Sequence, residues 1–218
     1  VNKGSGAKVA GAGDVNGDGL ADLIIGPASR WGYDTPVDLS YVVFGKADAA
    51  PVELSALAAG QGGGFAIHAG SPNDARGFSV ASAGDFNGDG LSDLAVGILH
   101  RIDGQLRDGC GYVVFGKTGS APVELSAVAQ GEGGVSIKGE MHWGDNNLAG
   151  AGDFNGDGLA DLVIGTPGLV HGAGRSYVVF GRPGTAAIDL TTVAAGTGGF
   201  RLDGWDEYYG SGSVVASA

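Results

Sequence analysis

Apolar residues recur along the chain in four kinds of short block, always in the same order. Tyr41-Val-Val-Phe44, Tyr112-Val-Val-Phe115 and Tyr177-Val-Val-Phe180, each closed by glycine, are β-branched and aromatic, which predicts strands rather than helices. Upstream lie continuous apolar runs at 23–25, 94–96 and 162–164, the pattern of strands buried on both faces. Further upstream are segments made almost wholly of Gly, Ala and Ser with one Val or Leu, at 7–12, 78–83, 147–151 and, near the end, 214–218. Such small side chains suit strands that converge on a crowded axis. The fourth kind alternates: Phe65/Ile67, Val135/Ile137 and Phe200/Leu202 point one way, and Ala66/His68, Ser136/Lys138 and Arg201/Asp203 the other. That period of two predicts an edge strand with one wet face. Before it comes an insert, Val52-Glu-Leu-Ser-Ala-Leu57, Val123-Glu-Leu-Ser-Ala-Val128 and Ile188-Asp-Leu-Thr-Thr-Val193, with room for one or two helical turns.

Between the first and second strand of each set stands an acidic loop. The three copies are Asp14-Val-Asn16-Gly-Asp18-Gly-Leu20-Ala-Asp22, Asp85-Phe-Asn87-Gly-Asp89-Gly-Leu91-Ser-Asp93 and Asp153-Phe-Asn155-Gly-Asp157-Gly-Leu159-Ala-Asp161. Their first residues are 71 and then 68 positions apart, a period that marks a repeat architecture. Three carboxylates and one amide at positions 1, 3, 5 and 9 repel one another unless a hard cation lies between them. Calcium takes about 6–8 oxygens at such a site. The expected donors are the four side chains of each loop and the carbonyls of Leu20, Leu91 and Leu159, giving three Ca²⁺ sites; the glycine at position 6 makes the sharp turn. An EF-hand loop places its last acidic ligand at about position 12 and has helices around it. A calcium-binding β-roll repeats its nonapeptide consecutively. Neither fits loops seventy residues apart that are followed by β-branched strands.

Small inner strand, buried middle strands and alternating outer strand describe the blade of a β-propeller. The chain is therefore expected to be all-β: three four-stranded blades plus one extra inner strand, incomplete as a monomer. Blade 1 spans 1–70, blade 2 71–139 and blade 3 140–204, with 205–218 opening a further blade. The order of small-residue strand, Asp-x-Asn-x-Asp-Gly-x-x-Asp loop and apolar strand, with Gly77-Phe-Ser-Val80 and Gly26-Pro27-Ala28 at its two ends, resembles the FG-GAP repeats of integrin α-subunit propellers and their bacterial relatives. The sequence departs from that pattern at Ala7, where unit two has Phe78, at Gly97-Ile-Leu99 and Gly165-Thr-Pro167, and in the length its inserts add. The resemblance implies a non-enzymatic calcium-binding segment of an extracellular or cell-surface protein, used in adhesion or in recognising a protein or glycan ligand. Two alternatives stay open: an accessory propeller of an extracellular hydrolase or polysaccharide lyase, and a structural assembly or spacer module.

Charge and composition narrow the rest. A net charge of −12 argues against nucleic acid, and the loops hold nine of the 24 acidic residues, so three bound Ca²⁺ would bring the total to −6. No apolar run approaches the ~20 residues of a membrane helix, so no membrane insertion is expected. Cys110 is the single cysteine, which precludes an intrachain disulfide, and it reads as a small packed residue. His68, His100, His142 and His171 share no repeat position and no catalytic or zinc spacing. The chain begins at Val1, as a processed or excised segment would.

In a propeller the loops and inserts fall on one face. The opposite face gathers Trp31 and Tyr33, 100–107, Met141 to Trp143, His171 and 205–209. Trp31, Trp143, Trp205 and Tyr208 are the candidate ligand-binding residues there; the competing role for Trp143 and Trp205 is to plug gaps between blades. Closed propellers need about 4–8 blades. Three blades therefore predict either a segment of a longer propeller or self-association, with a six-bladed homodimer the simplest ring.

Overall fold

The computed structural model describes residues 5–27, 39–69, 75–102, 105–139, 147–167, 173–205 and 211–216. It is built of three sheets, one per repeat. Blade 1 comprises β1 (Ser5–Gly13), β2 (Asp22–Pro27), β3 (Leu39–Val43), the short helix α1 (Leu54–Ala58) and β4 (Gly64–His68). Blade 2 comprises β5 (Ala75–Gly84), β6 (Asp93–Ile102), β7 (Gln105–Val114), β8 (Val123–Glu124), α2 (Leu125–Val128) and β9 (Gly134–Lys138). Blade 3 comprises β10 (Asn147–Gly152), β11 (Asp161–Thr166), β12 (Arg175–Val179), β13 (Ile188–Asp189), α3 (Leu190–Ala194) and β14 (Gly199–Asp203). Each blade is an antiparallel meander, inner strand to outer strand. Equivalent side chains pair in each ladder, as with Ile25 opposite Tyr41, Val96 opposite Tyr112 and Ile164 opposite Tyr177.

The outer strands depart from the expected edge. In blades 1 and 2 the fourth strand is not the last: the first two residues of the next blade's insert add to it in parallel. Val123 and Glu124 lie opposite Ile67 and His68, and Ile188 and Asp189 lie opposite Ile137 and Lys138. Ala66 and Ser136, expected on a wet face, are buried on strands against which α1 and α2 pack, while Lys138 is exposed. The period of two was right about alternation, but it carried no sign of a strand lent by the following repeat. Among the described residues no strand is lent to blade 3, and there β14 is the outer strand, with Arg201, Leu202 and Asp203 exposed.

Two other expectations shift. Residues 100–102 and 105–107, assigned to a loop, continue β6 and β7 as a hairpin, with Arg101 opposite Leu106 and Ile102 opposite Gln105. The extra inner strand is represented among the described residues by 211–216. This segment meets blade 3 through one parallel bridge, Gly174 to Ser211, rather than a ladder. A lone strand has no second strand to satisfy its backbone, and Gly212 at φ +85° breaks its extended course.

The core lies between blades. One cluster joins Ile24, Val42, Phe65 and Ile67 of blade 1 to Val80, Leu94, Val96 and Leu125 of blade 2; a second joins blades 2 and 3 around Phe86, Ile137, Leu162 and Tyr177. Close backbone approach makes this possible. A Cβ on Gly116 would lie 2.6 Å from Leu91 Cβ and 2.9 Å from the Val15 carbonyl oxygen. The Gly116→Ala variant is therefore expected to lose about 1–3 kcal/mol of stability in urea unfolding, the ordinary cost of overpacking. Gly119→Ala, with open space around its Cβ position, should stay within about 0.5 kcal/mol of the parent. Equal losses in the two variants would contradict the stacking described.

Candidate metal centre

The three acidic loops adopt one hydrogen-bonding pattern. In the first, Asp14 Oδ1 accepts the N–H groups of Gly17 and Asp18, and Oδ2 accepts that of Gly19, at 2.7–3.1 Å. Asn16 Oδ1 accepts from the Asp18 amide and Asp18 Oδ1 from the Leu20 amide. The Asn16 side-chain amide donates to Asp18 Oδ2. The same bonds recur from Asp85, Asn87 and Asp89, and from Asp153, Asn155 and Asp157. The turns depend on glycines at positions 4 and 6, whose φ values of +77° and +84° in the first loop are open to few other residues. These bonds explain why the spacing is so strict: each acidic residue folds the backbone around itself before any cation is considered.

The ninth residue behaves differently. Asp22, Asp93 and Asp161 are buried, at 1%, 0% and 0% exposure. One oxygen of each accepts the N–H of loop position 2, from Val15, Phe86 or Phe154. The other accepts the N–H of the glycine after the third strand, Gly45, Gly116 or Gly181. Each carboxylate thus clamps its loop to its own blade. Burial pushes the Asp93 carboxyl up to about 7, against the pull of the Gly116 and Phe86 N–H groups; burial also raises that of Asp22.

The loops also join neighbouring blades. The Ser92 N–H donates to the Asp14 carbonyl and the Lys117 N–H to the Val15 carbonyl; Ala160 and Arg182 do the same to Asp85 and Phe86. Lys117 Nζ sits 4.4 Å from the centre of the Phe65 ring on the preceding blade. This connecting role is a tertiary property that no single repeat displays. Its signal was the repeated Phe-Gly-Lys or Phe-Gly-Arg after each third strand, together with the apolar residue at loop position 2.

Among the described residues, no three His, Cys, Asp or Glu side chains converge as a ready metal-ligand group. The donor chemistry nevertheless fits a hard cation. Asn and backbone oxygens count among calcium donors, and each carboxylate oxygen named above has more than one acceptor site. Leu94 and Leu162 anchor their loops in the core as expected, whereas Leu23 is 47% exposed because no described blade precedes it. Of the candidate ligand-binding residues, Trp205 is 93% exposed and plugs no gap between described blades. Trp31, Trp143 and Tyr208 lie outside the described residues, as do Tyr33, Met141, His142 and His171. His68 faces Glu124 across the first blade junction, Nδ1 to Oε1 3.8 Å.

The FG-GAP repeat model matches residues 77–98 and 146–179, the inner and middle strands and intervening segments of units two and three. Among curated proteins the chain is similar to integrin alpha-7 of Mus musculus, 32% identical over 160 residues, covering 70% of this chain and 11% of that protein. It is also similar to integrin alpha-E of Mus musculus, 33% identical over 109 residues (45% and 8%), and to integrin alpha-5 of Xenopus laevis, 31% identical over 107 residues (49% and 9%). The chain spans about a tenth of the length of these relatives.

The clamp makes a prediction that needs no cation. In EDTA, Asp93→Ala should lower the unfolding free energy by about 2–4 kcal/mol, because buried N–H groups of Phe86 and Gly116 lose their acceptor. A loss under about 0.5 kcal/mol would show that the clamp contributes little.

Proposed function

Because the chain belongs to the integrin-like FG-GAP repeat family, we propose that it is a non-enzymatic, calcium-binding β-propeller segment of an extracellular or cell-surface protein, serving adhesion or recognition of a protein or glycan ligand. The observation that carries the calcium reading is the threefold recurrence of one preorganised acidic loop. The ligands would be Asp14, Asn16, Asp18, the Leu20 carbonyl and Asp22 in the first loop. Asp85, Asn87, Asp89, Leu91 and Asp93 serve in the second, and Asp153, Asn155, Asp157, Leu159 and Asp161 in the third. Calcium suits a set dominated by protein oxygens better than magnesium, which holds rigid octahedral geometry and retains its waters. When bound, the cation neutralises the clustered carboxylates; the chain's own amides already hold those carboxylates in place.

The non-enzymatic reading rests on the carboxylates being committed to the loops and on His68 facing Glu124 at a blade junction. A fully exposed Trp205 supports ligand recognition on the side of the blades away from the loops, with Trp31, Trp143 and Tyr208 as its proposed companions. No helix among the described residues is long and apolar enough to cross a membrane.

Extracellular calcium modules bind with Kd near ~10⁻⁴–10⁻³ M. At tenfold saturation each site contributes about 1.4 kcal/mol, so three sites raise Tm by roughly 8–16 °C for a chain of this size. Calorimetric titration should show three sites, and Asp18→Ala, Asp89→Ala and Asp157→Ala should each remove one. A Tm unchanged between millimolar calcium and EGTA, with no binding heat, would overturn the calcium reading. For recognition, glycan and matrix-protein arrays should show calcium-dependent binding that Trp205→Ala weakens at least about tenfold, the loss expected of an aromatic anchor.

A further inference from the structure

The three Asn-Gly pairs of the chain, Asn16-Gly17, Asn87-Gly88 and Asn155-Gly156, all stand at positions 3 and 4 of the acidic loops. Asparagine before glycine is chemically unstable in an unfolded chain. The backbone nitrogen of the glycine attacks the side-chain Cγ of the asparagine, and a residue without a Cβ does not hinder that approach. The new N–Cγ bond closes a five-membered imide as the Cγ–Nδ2 bond breaks. The attacking nitrogen gives its proton to solvent base, and the side-chain amide leaves as ammonia with a proton taken from water. Water then opens the imide at one of its two carbonyls. Opening at Cγ gives aspartate; opening at the main-chain carbonyl gives isoaspartate, whose backbone runs through an extra methylene. One water enters and one ammonia leaves, and no oxidant or cofactor takes part.

The folded loop withholds both reacting groups. The N–H of Gly17 points at Asp14 Oδ1, 2.7 Å away, and those of Gly88 and Gly156 at Asp85 and Asp153 Oδ1, at 2.7 and 2.8 Å. The amide under attack is fixed at both ends. In the first loop Asn16 Oδ1 accepts the Asp18 N–H at 2.9 Å, and Nδ2 donates to Asp18 Oδ2 at 2.9 Å. Asp89 and Asp157 hold Asn87 and Asn155 in the same way. A carboxylate beside the attacking nitrogen also disfavours the anion which that nitrogen must become. Burial is not the protection, because Gly17, Gly88 and Gly156 are exposed to solvent.

The loop has little freedom to replace either residue. Gly17, Gly88 and Gly156 lie at φ +77°, +80° and +77°. A Cβ on Gly17 or Gly88 would come within 2.9 or 2.8 Å of Leu91 or Leu159 Cδ2 on the following blade. An ionised aspartate at position 3 has no N–H to give the carboxylate at position 5. We propose that Asn16, Asn87 and Asn155 are sites of spontaneous deamidation that the folded loop holds off, so that opening of a loop marks it irreversibly. The mark weakens the junction that the loop serves. Aspartate at position 16 sets a second carboxylate against Asp18 Oδ2, where the amide had donated. Isoaspartate there lengthens the path from Val15, whose carbonyl receives the Lys117 N–H, to the clamp at Asp22.

Peptide mass spectrometry of the 218-residue chain, aged in mildly alkaline buffer, tests this without relying on the calcium reading. One arm contains calcium and the other EDTA. In both, each of the three asparagines should convert to the acid at least tenfold more slowly than in the same chain held unfolded in concentrated urea. Asp14→Ala removes the acceptor of the Gly17 N–H and should speed conversion of Asn16 at least threefold, with Asn87 and Asn155 at the parent rate. Asp14→Asn, which retains a side-chain oxygen for Gly17, should stay near the parent rate at all three. Deamidated chain separated by ion exchange should unfold at lower urea than intact chain. Conversion in the folded chain within twofold of the urea rate overturns the proposal. Protection seen only with calcium also overturns it, because the loop's own bonds are then insufficient. An Asp14→Ala chain that is folded by far-UV circular dichroism and converts Asn16 at the parent rate does the same; if that variant unfolds, the comparison of folded parent with urea decides.

Discussion

The structure depends on one constraint: four acidic or amide side chains must sit within nine residues without being driven apart. The loop meets it with backbone N–H groups. Asp14, Asp85 and Asp153 each gather three; the buried ninth-position Asp takes one from the end of the third strand and, from the loop, one at Asp22 and two at Asp93 and Asp161. The loop's own carbonyls, turned outward by this folding, then become acceptors for the next blade. Acidic loop, hairpin clamp and blade junction are therefore one object, and a change in any of the three is felt by the others.

This explains why the cores lie between sheets. A four-stranded blade is too thin to bury both faces of its middle strands, so Leu94 and Ile98 find partners on the sheet before, and Val113 and Ala95 on the sheet after. Glycine at Gly45, Gly116 and Gly181 lets the strand ends come within contact of the loops, with less than 3 Å to spare for a Cβ. The abundance of glycine that stands out in the composition is, at these places, a packing requirement rather than flexibility.

Much of this was legible in the sequence. The Tyr-Val-Val-Phe blocks, the apolar runs and the first three small-residue segments fall on strands, whereas the fourth, at 214–218, does not form one among the described residues; the loop spacing marks the repeat. What escaped was whatever one repeat does for another. Nothing local in Val123-Glu124 or Ile188-Asp189 says that they extend the sheet of the preceding blade, because two residues carry no periodicity. The clamp at Asp22, Asp93 and Asp161 was hidden for the same reason: an acidic residue at loop position 9 looks like a ligand, while its burial and its bond to a glycine about 23 residues away in the first two blades are tertiary facts. The FG-GAP model matches units two and three and leaves unit one outside, yet Asp14, Asn16 and Asp18 make the same bonds as their counterparts.

The claim at the centre is that occupation of the loops and stacking of the blades are a single event. Residue-resolved hydrogen exchange, with and without calcium, addresses it directly. The amides of Gly88 and Gly90 belong to a loop, whereas those of Ser92, Lys117, Ala160 and Arg182 cross between blades. The account predicts that calcium slows exchange at both groups together and by similar factors. Protection confined to the loop amides, with the inter-blade amides unchanged, would contradict it.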